Sequence, residues 1–209
     1  MSILEIKGIR YTYDSKRDVL NDINFSFEAG KVYAILGPSG CGKTTLLSLM
    51  GGLDSPTEGQ VLFDGQDVER IGLAIHRKKD VAFIFQSYNL IDYLTPQENV
   101  ALASKLPPLS VLERVGITEE ESKRNVLKLS GGQQQRVAIA RALASDASVI
   151  LADEPTGNLD EDTASEITAI LKECAHQAGK CVVIVTHSND LAKQADVVLR
   201  LRKGELLQL

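Results

Sequence analysis

The sequence predicts an α/β fold with a mostly parallel sheet, on the basis of two features. Short β-forming runs recur along the chain, and several are apolar nearly throughout, which is typical of strands buried on both faces of a parallel sheet. Stretches with helical spacing lie between these runs. The predicted strands are residues 3–9, 23–27, 32–36, 60–63, 81–85, 149–152, 182–186 and 197–201, and the predicted helices are residues 45–50, 133–144 and 163–175.

An antiparallel sheet is predicted beside this parallel core. Residues 3–27 alternate polar and apolar side chains without an intervening helix. Residues 58–67 are interpreted as a hairpin that turns at Asp64-Gly65, a dipeptide that favours tight β-turns.

A small α-helical subdomain is predicted as an insertion in the core of a single domain. The strand pattern stops over residues 86–129, where two prolines at 107 and 108 and an acidic cluster at 119–121 separate short helical segments. The predicted organisation is one domain over residues 1–209, in which residues 1–85 and 146–209 form the core with its β-subdomain and residues 86–145 form the helical subdomain.

Composition and charge exclude some classes of function. With 44% hydrophobic and 24% charged residues, the chain has the balance of a globular protein. The formal net charge of -5 leaves no overall basic field for a phosphate backbone, so no nucleic acid partner is expected. The longest apolar runs are a few residues long, whereas a membrane-spanning helix needs about 20. The N-terminal residues do not resemble a secretory signal, so we expect a cytoplasmic location, with any membrane role arising through a partner.

A glycine-rich loop, GPSGCGKT, follows the strand KVYAIL and precedes the apolar run TLLSLM. Its glycines allow consecutive backbone N–H groups to turn toward phosphate oxygens at the positive end of a helix. Lys43 can then reach the β- and γ-phosphates, and the Thr44 hydroxyl can bind Mg²⁺. The predicted phosphate-binding residues are Gly37, Pro38, Ser39, Gly40, Cys41, Gly42, Lys43, Thr44 and Thr45.

The cysteines suggest reduced thiols. Cys41, Cys174 and Cys181 are an odd number without metal-ligand spacing. Oxidation of Cys41 inside the glycine-rich loop would block phosphate binding, but a small residue that fits the loop is the simpler explanation.

A second acidic site follows the strand VILA. Asp153 and Glu154 lie just past its carboxyl end, where nucleotides bind in parallel sheets. Asp153 is predicted to hold Mg²⁺, and Glu154 to act as the general base that polarises an attacking water. By themselves, the two residues fit a solvated acidic strand end equally well.

A third stretch, LSGGQQQRVAIARAL, begins a helix after Ser130, which is a suitable N-cap. A helix start of the form Ser-Gly-Gly is a second site for an anion. Because the chain has one glycine-rich phosphate loop, we hypothesise that two copies sandwich a nucleotide between the loop of one and this helix start of the other.

Together these motifs resemble the full ordered set of an ATP-binding cassette (ABC) ATPase, which implies a P-loop NTPase core. The resemblance spans essentially the whole chain. It rests on GPSGCGKT, Gln86 after VAFIF, LSGGQ, VILADE, the NLD of residues 158–160 and His187 after VVIVT.

The resemblance implies roles on the nucleotide side. An aromatic residue that precedes the core stacks on adenine, which favours Tyr13, with Tyr11 as its rival because the two share one short run. Gln86 would sense Mg²⁺ and the attacking water, and His187 would contact the γ-phosphate and orient that water. The other histidines, at positions 76 and 176, are expected on surface segments.

The resemblance also implies two kinds of partner. Ser130, Gly131 and Gly132, together with Gln133 of the same motif, would bind ATP held by the opposite subunit of a head-to-tail dimer. Asp160 would communicate across that interface. Residues 86–94 would contact a transmembrane permease, which places the protein on the inner face of the cell membrane.

The segments GGLD at 51–54 and ADEPTGNLD at 152–160 are similar to the lipoprotein-release and macrolide-export group of bacterial ABC proteins. The predicted function is therefore ATP hydrolysis that drives a permease of the exporter or mechanotransmission type. The alternative is a soluble or regulatory ABC module outside a transporter.

Overall fold

Two sheets organise the computed structural model, which describes residues 2–13, 18–103 and 107–209. The strands are β1 Ser2–Thr12, β2 Asp18–Glu28, β3 Val32–Leu36, β4 Glu58–Phe63, β5 Gln66–Asp67, β6 Val81–Ile84, β7 Val149–Asp153, β8 Cys181–Thr186, β9 Val197–Arg202 and β10 Glu205–Gln208. The helices are α1 Lys43–Met50, α2 Val68–Ile71, α3 Leu73–Lys79, α4 Pro96–Ala101, α5 Pro108–Arg114, α6 Glu119–Ser122, α7 Gly131–Leu143, α8 Glu161–His176 and α9 Asn189–Ala192, with a 3-10 turn at Val126–Lys128.

The larger sheet has the order β10-β9-β3-β8-β7-β6, and all its neighbouring strands are parallel except β10 and β9. All residues of β3 and β8 are buried, which explains why their sequences are apolar nearly throughout. The predicted α/β fold is confirmed.

The smaller sheet is antiparallel, with the order β2-β1-β4-β5. Asp64 and Gly65 join β4 to β5 with φ angles of 47° and 75°, the left-handed conformation of a tight hairpin turn. One apolar cluster fills the space between this sheet, the larger sheet and α1. The predicted flanking sheet and its hairpin are therefore present.

The three predicted helices correspond to α1, α7 and α8, and each begins two residues before the apolar pattern. The first two residues of each helix are exposed or partly exposed and lack that pattern. On α8, Ile167, Leu171 and Cys174 recur at helical spacing and are buried in the second apolar cluster. Truncating Leu171 to alanine would cost about 2 to 5 kcal/mol of stability.

Several short elements have no clear sequence signal, namely α2, α3 and β10. The expectation that His76 lies on the surface is wrong, because its side chain is fully buried. Its ring nitrogens lie 3.1 Å from a carboxylate oxygen of Asp80 and 3.1 Å from the carbonyl oxygen of Met50. His176 is exposed and pairs with Asp196, as expected of a surface histidine.

Between β6 and β7 the described residues form helices and loops. In the same described part of the chain, no helix has the length and apolar character that crossing a membrane requires.

Candidate functional site

Four neighbouring parallel strands, β3, β8, β7 and β6, end at one edge of the larger sheet. The glycine-rich loop follows β3, His187 follows β8, and Asp153 ends β7. Gln86 lies just past β6. Parallel pairing thus brings motifs that are far apart in the sequence to the edge where such sheets bind ligands.

These motifs share one cleft of about 420 Å³. Its lining residues are Tyr13, Val19, Ser39, Gly40, Gly42, Lys43, Thr44, Thr45, Gln86, Asp153, Glu154 and His187. Six of them come from the predicted loop and the first turn of α1, and five more are the predicted aromatic, acidic, glutamine and histidine residues.

Backbone geometry explains the glycines of the loop. Gly42 begins α1 with a φ of 101°, a left-handed conformation that a side chain would strain. A Cβ atom at Gly37 would lie 2.5 Å from the Leu201 carbonyl oxygen and 2.6 Å from Cys41 Sγ. Lys43 Nζ donates hydrogen bonds to the carbonyl oxygens of Gly37 and Pro38, at 2.8 and 3.2 Å. The loop therefore curls around the lysine head group.

Two oxygen-bearing side chains of the cleft, those of Thr44 and Asp153, lie together. Thr44 Oγ1 donates a hydrogen bond of 2.8 Å to Asp153 Oδ2. Burial raises the pKa of the Asp153 carboxyl, and the hydrogen bond from Thr44 partly opposes that shift. A hard divalent cation that keeps several waters prefers such oxygen donors and needs only one or two protein ligands besides substrate phosphates.

Glu154 adopts a φ of 47° and has different partners from its neighbour Asp153. Its Oε2 accepts a hydrogen bond of 3.0 Å from Thr186 Oγ1, and its Oε1 lies 2.9 Å from His187 Nδ1. A carboxylate only accepts hydrogen bonds, so Nδ1 carries a proton in this pair. The glutamate side chain is 12% exposed and the histidine side chain 75%. The carboxylate is thus held from two sides at the edge of the cleft.

The two candidate tyrosines have different surroundings. Tyr13 is 71% exposed, lines the cleft, and its hydroxyl lies 2.8 Å from Thr45 Oγ1. Tyr11 packs against the core, and its hydroxyl donates a hydrogen bond to Asp54, which raises the pKa of Tyr11 to about 12. Their rings meet edge to face, with centroids 5.0 Å apart. Tyr13 is the one with a free ring face at the cleft.

The helix start of α7 belongs to a second, smaller pocket of about 250 Å³. Ser130 accepts a hydrogen bond from the Gln133 backbone N–H, and the Gln133 side chain accepts one from the Ser130 N–H, which forms a capping box. Asp160 caps α8 in the same pocket by accepting a 3.0 Å hydrogen bond from the Thr163 N–H. That bond lowers the pKa of the Asp160 carboxyl.

Three predicted residues lie beside the cleft rather than in its lining, and two residues of the site were not predicted. Cys41 is half-buried against the core, which fits a small residue that completes the loop. Gly37 and Pro38 contribute carbonyl groups to Lys43. Thr186, which supports Glu154, was not predicted, although it directly precedes the predicted His187. Val19 is also part of the cleft, and an isolated apolar residue gives no signal in the sequence.

Comparisons with known proteins agree with this architecture. The family model described as ABC transporter matches residues 20–157. The uncharacterized ABC transporter ATP-binding protein YclH of Bacillus subtilis is 47% identical over 215 residues, which cover 98% of this chain and 95% of that protein. The macrolide export ATP-binding/permease protein MacB 2 of Aeromonas hydrophila is 41% identical over 220 residues, which cover 98% of this chain and 34% of that protein.

Solved structures also match. The dimeric structure of MJ0796, a bacterial ABC transporter cassette, superposes with a TM-score of 0.91 at 36% identity, covering 98% of this chain and 96% of that chain. A dimeric post-hydrolysis state of the same cassette, bound to ADP and Pi, gives a TM-score of 0.88 at 35% identity with the same coverage.

Proposed function

This chain belongs to the ABC transporter family as an ATP-binding and ATP-hydrolysing subunit, and we propose that two copies work as a head-to-tail dimer that drives a separate permease. The observation that carries the dimer is the separation of the two helix starts. Lys43 lines the cleft and Ser130 lines the smaller pocket, and among the described residues the two linings have none in common. A nucleotide in the cleft therefore needs a second copy to reach a Ser130. The dimeric state of the similar cassette supports this arrangement.

In this proposal the chain binds ATP along the length of the cleft. Tyr13 stacks on the adenine ring through its exposed face. The N–H groups of residues 39–45 surround the phosphates at the N-terminus of α1. Lys43 exchanges its carbonyl partners for the β- and γ-phosphates, where its charge offsets the charge that develops in phosphoryl transfer.

The residues present fit Mg²⁺. Thr44 Oγ1 and Asp153 Oδ2 already lie 2.8 Å apart, and the half-buried carboxylate accepts there from a neutral hydroxyl rather than from a cation. We propose that Thr44 and Asp153 hold the ion, with Gln86 as a further oxygen ligand at the cleft wall. Bound there, Mg²⁺ supplies charge neutralisation at the phosphates.

Glu154 is the proposed general base. Its carboxylate takes a proton from the water that attacks the γ-phosphorus, as the bond from that phosphorus to the bridging oxygen of ADP breaks. Thr186 and His187 fix the direction of this carboxylate. His187 is also the proposed contact for the γ-phosphate, and Gln86 helps to hold the water.

The permease is proposed to contact residues 86–94 and the groove beside them. This groove has a volume of about 670 Å³, and Phe85, Leu102 and Arg141 are among its lining residues. Leu102 is 61% exposed and Tyr93 80% exposed, so both side chains offer apolar surface to a partner. Docking there would hold the protein at the cytoplasmic face of a membrane.

Arg141 links this groove to the loop after Gln86. Its guanidinium donates hydrogen bonds of 2.6 and 3.2 Å to the carbonyl oxygens of Asn89 and Tyr88. Both residues have positive φ angles, so this turn is strained and depends on the arginine. In this proposal, movement of a permease segment in the groove is transmitted through Arg141 and this turn to Gln86 in the nucleotide cleft.

A matched pair of variants tests the catalytic assignment. Glu154→Gln should lower ATP turnover by about a hundredfold or more, because general-base catalysis contributes on the order of 10²–10⁴. It should keep ATP binding and accumulate an ATP-bound dimer, measured by light scattering. Glu161→Gln, a control on the first turn of α8, should behave as wild type. If Glu154→Gln retained most of the turnover, the assignment of Glu154 as the general base would be wrong.

A further inference from the structure

Arg136 joins three segments that surround the smaller pocket. Its side chain is half-buried on α7, six residues after Ser130. One terminal nitrogen, Nη2, donates a 2.6 Å hydrogen bond to Thr163 Oγ1 on α8. The other, Nη1, donates a 3.2 Å hydrogen bond to the carbonyl oxygen of Val115 at the end of α5. The two bonds use the planar fork of the guanidinium, which the single ammonium of a lysine cannot reproduce.

The guanidinium group of Arg136 lies against the backbone of Gly116, where glycine leaves space for it. Gly116 follows Val115 with a φ of 74°, and a Cβ atom at that position would lie 2.3 Å from Arg136 Nη1. A side chain there would displace the arginine. The backbone at the end of α5 thus makes room for Arg136 as well as accepting its hydrogen bond.

Thr163 links Arg136 to the loop that ends at Asp160. While its hydroxyl oxygen accepts from Arg136, its backbone N–H donates to Asp160 Oδ1. Thr163 is 6% exposed, so its hydroxyl is shielded from water, whereas Asp160 lies at the surface. Hydrogen bonds from the Thr163 N–H and from the Thr163 hydroxyl, and to a lesser degree the charge of Arg136, lower the pKa of Asp160.

The helix start of α7 also touches this loop directly. A Cβ atom at Gly132 would lie 3.4 Å from a side-chain carbon of Leu159 and 3.8 Å from the carbonyl oxygen of Asn158, so the start of α7 packs against this loop. Ser130 and Asp160 therefore reach the same pocket from two helices, and Arg136 joins those helices one to two turns below it.

We propose that Arg136 is a positioning residue that fixes Ser130 and Asp160 relative to each other for the site on the opposite copy. This inference rests on the proposed head-to-tail dimer. In that dimer both residues face the partner, so an error in their spacing weakens assembly and turnover but leaves the cleft of the same chain unchanged.

The test removes the acceptor of Arg136 without removing the cap of α8. Thr163→Val deletes the hydroxyl but keeps the side-chain volume and the N–H that bonds to Asp160. Because the hydroxyl also interacts with Asp160, Arg136→Lys, which leaves Thr163 intact, is measured beside it. Thr168→Val is the matched control, because Thr168 is 3% exposed on the same helix and its hydroxyl donates only to the Ala164 carbonyl one turn away. Thr163→Ser restores the acceptor. Each change is made in the wild-type chain for turnover and in the Glu154→Gln chain for dimerisation with ATP.

Thr163→Val should raise the dissociation constant of the ATP-bound dimer by about tenfold relative to Thr168→Val, and lower kcat similarly, as expected for loss of a hydrogen bond to a charged group. The affinity of the monomer for ATP should stay the same, and Thr163→Ser should recover both values. Arg136→Lys should show the same loss of dimerisation, and it replaces Thr163→Val in the comparison if Thr163→Val fails to fold.

Equal dimerisation and turnover in Thr163→Val and Thr168→Val would overturn the positioning role, as would wild-type values for Arg136→Lys. A Glu154→Gln parent that stays monomeric with ATP would overturn the proposed dimer itself, which distinguishes the two failures.

Discussion

Thr186→Val should impair ATP hydrolysis although Thr186 does not face the phosphate loop. The Thr186 hydroxyl donates to Glu154 Oε2 at 3.0 Å and accepts a 3.0 Å hydrogen bond from the Ser188 N–H. Valine has nearly the same shape but makes neither bond. The general base would then be held only through His187, whose side chain is largely exposed.

The size of the effect follows from the burial of this threonine, which is 1% exposed. A hydrogen bond to a charged group contributes about 1.5 to 3 kcal/mol, and the bond to Ser188 adds about 1 kcal/mol. We therefore expect a loss of about 2.5 to 4 kcal/mol in the free energy of unfolding, which lowers the Tm of a chain of this length by about 5 to 16 °C. A small displacement of a catalytic group can cost on the order of a hundredfold in rate, so kcat should fall by about ten- to a hundredfold.

Calorimetry and steady-state turnover, measured at a temperature where every variant is folded, separate the two effects. Thr186→Ser keeps the hydroxyl and should retain most of kcat while losing some stability with its methyl group. Thr168→Val controls for loss of a buried hydroxyl elsewhere and should turn over as wild type. If Thr186→Val matched the wild-type kcat, the reasoning that this hydroxyl holds Glu154 would be refuted.

Three other changes give distinct results. Burial raises the pKa of Asp153 above 3.8, so the folded state without a cation is favoured as pH falls through the raised value. Asp153→Asn should therefore raise the Tm of the nucleotide-free protein near neutral pH, measured by calorimetry, and abolish any stabilisation by Mg²⁺ with ATP; a lower Tm contradicts this. Tyr13→Ala should weaken ATP binding about tenfold by titration calorimetry, since stacking on a base is worth about 1 to 3 kcal/mol, whereas equal weakening by Tyr11→Ala would return the role to Tyr11. Arg141→Ala should lower permease-stimulated turnover more than basal turnover in reconstituted vesicles. An equal loss in both would contradict the proposal that Arg141 transmits movement from the groove to the cleft.

The sequence was most informative where a local rule forces the structure. The loop at residues 37–44 must join a strand to a helix, and the Asp64-Gly65 turn must close a hairpin, so both were predictable from residue type alone. The apolar strands were equally clear, because burial on both faces leaves no polar positions.

Tertiary contacts explain what the sequence did not predict. Histidine is a polar residue, which favoured a surface position for His76. Its side chain is buried instead, because both ring nitrogens lie within hydrogen-bond distance of oxygen atoms inside the protein. The roles of Thr186 and Arg136 depend on hydrogen bonds to residues 32 and 27 positions away, which no local pattern indicates. The division of the chain at residues 86 and 145 remains a prediction.

The central claim is that each ATP site is completed by the opposite copy, and mixing two inactive variants tests it most directly. Lys43→Ala disables the phosphate loop, and Ser130→Phe blocks the helix start of α7. In a head-to-tail dimer each mixed pair has one site with both parts intact, so an equimolar mixture should regain about a quarter of the wild-type turnover, given random pairing and independent sites. A mixture as inactive as either variant alone would contradict the shared site and favour one built within a single chain.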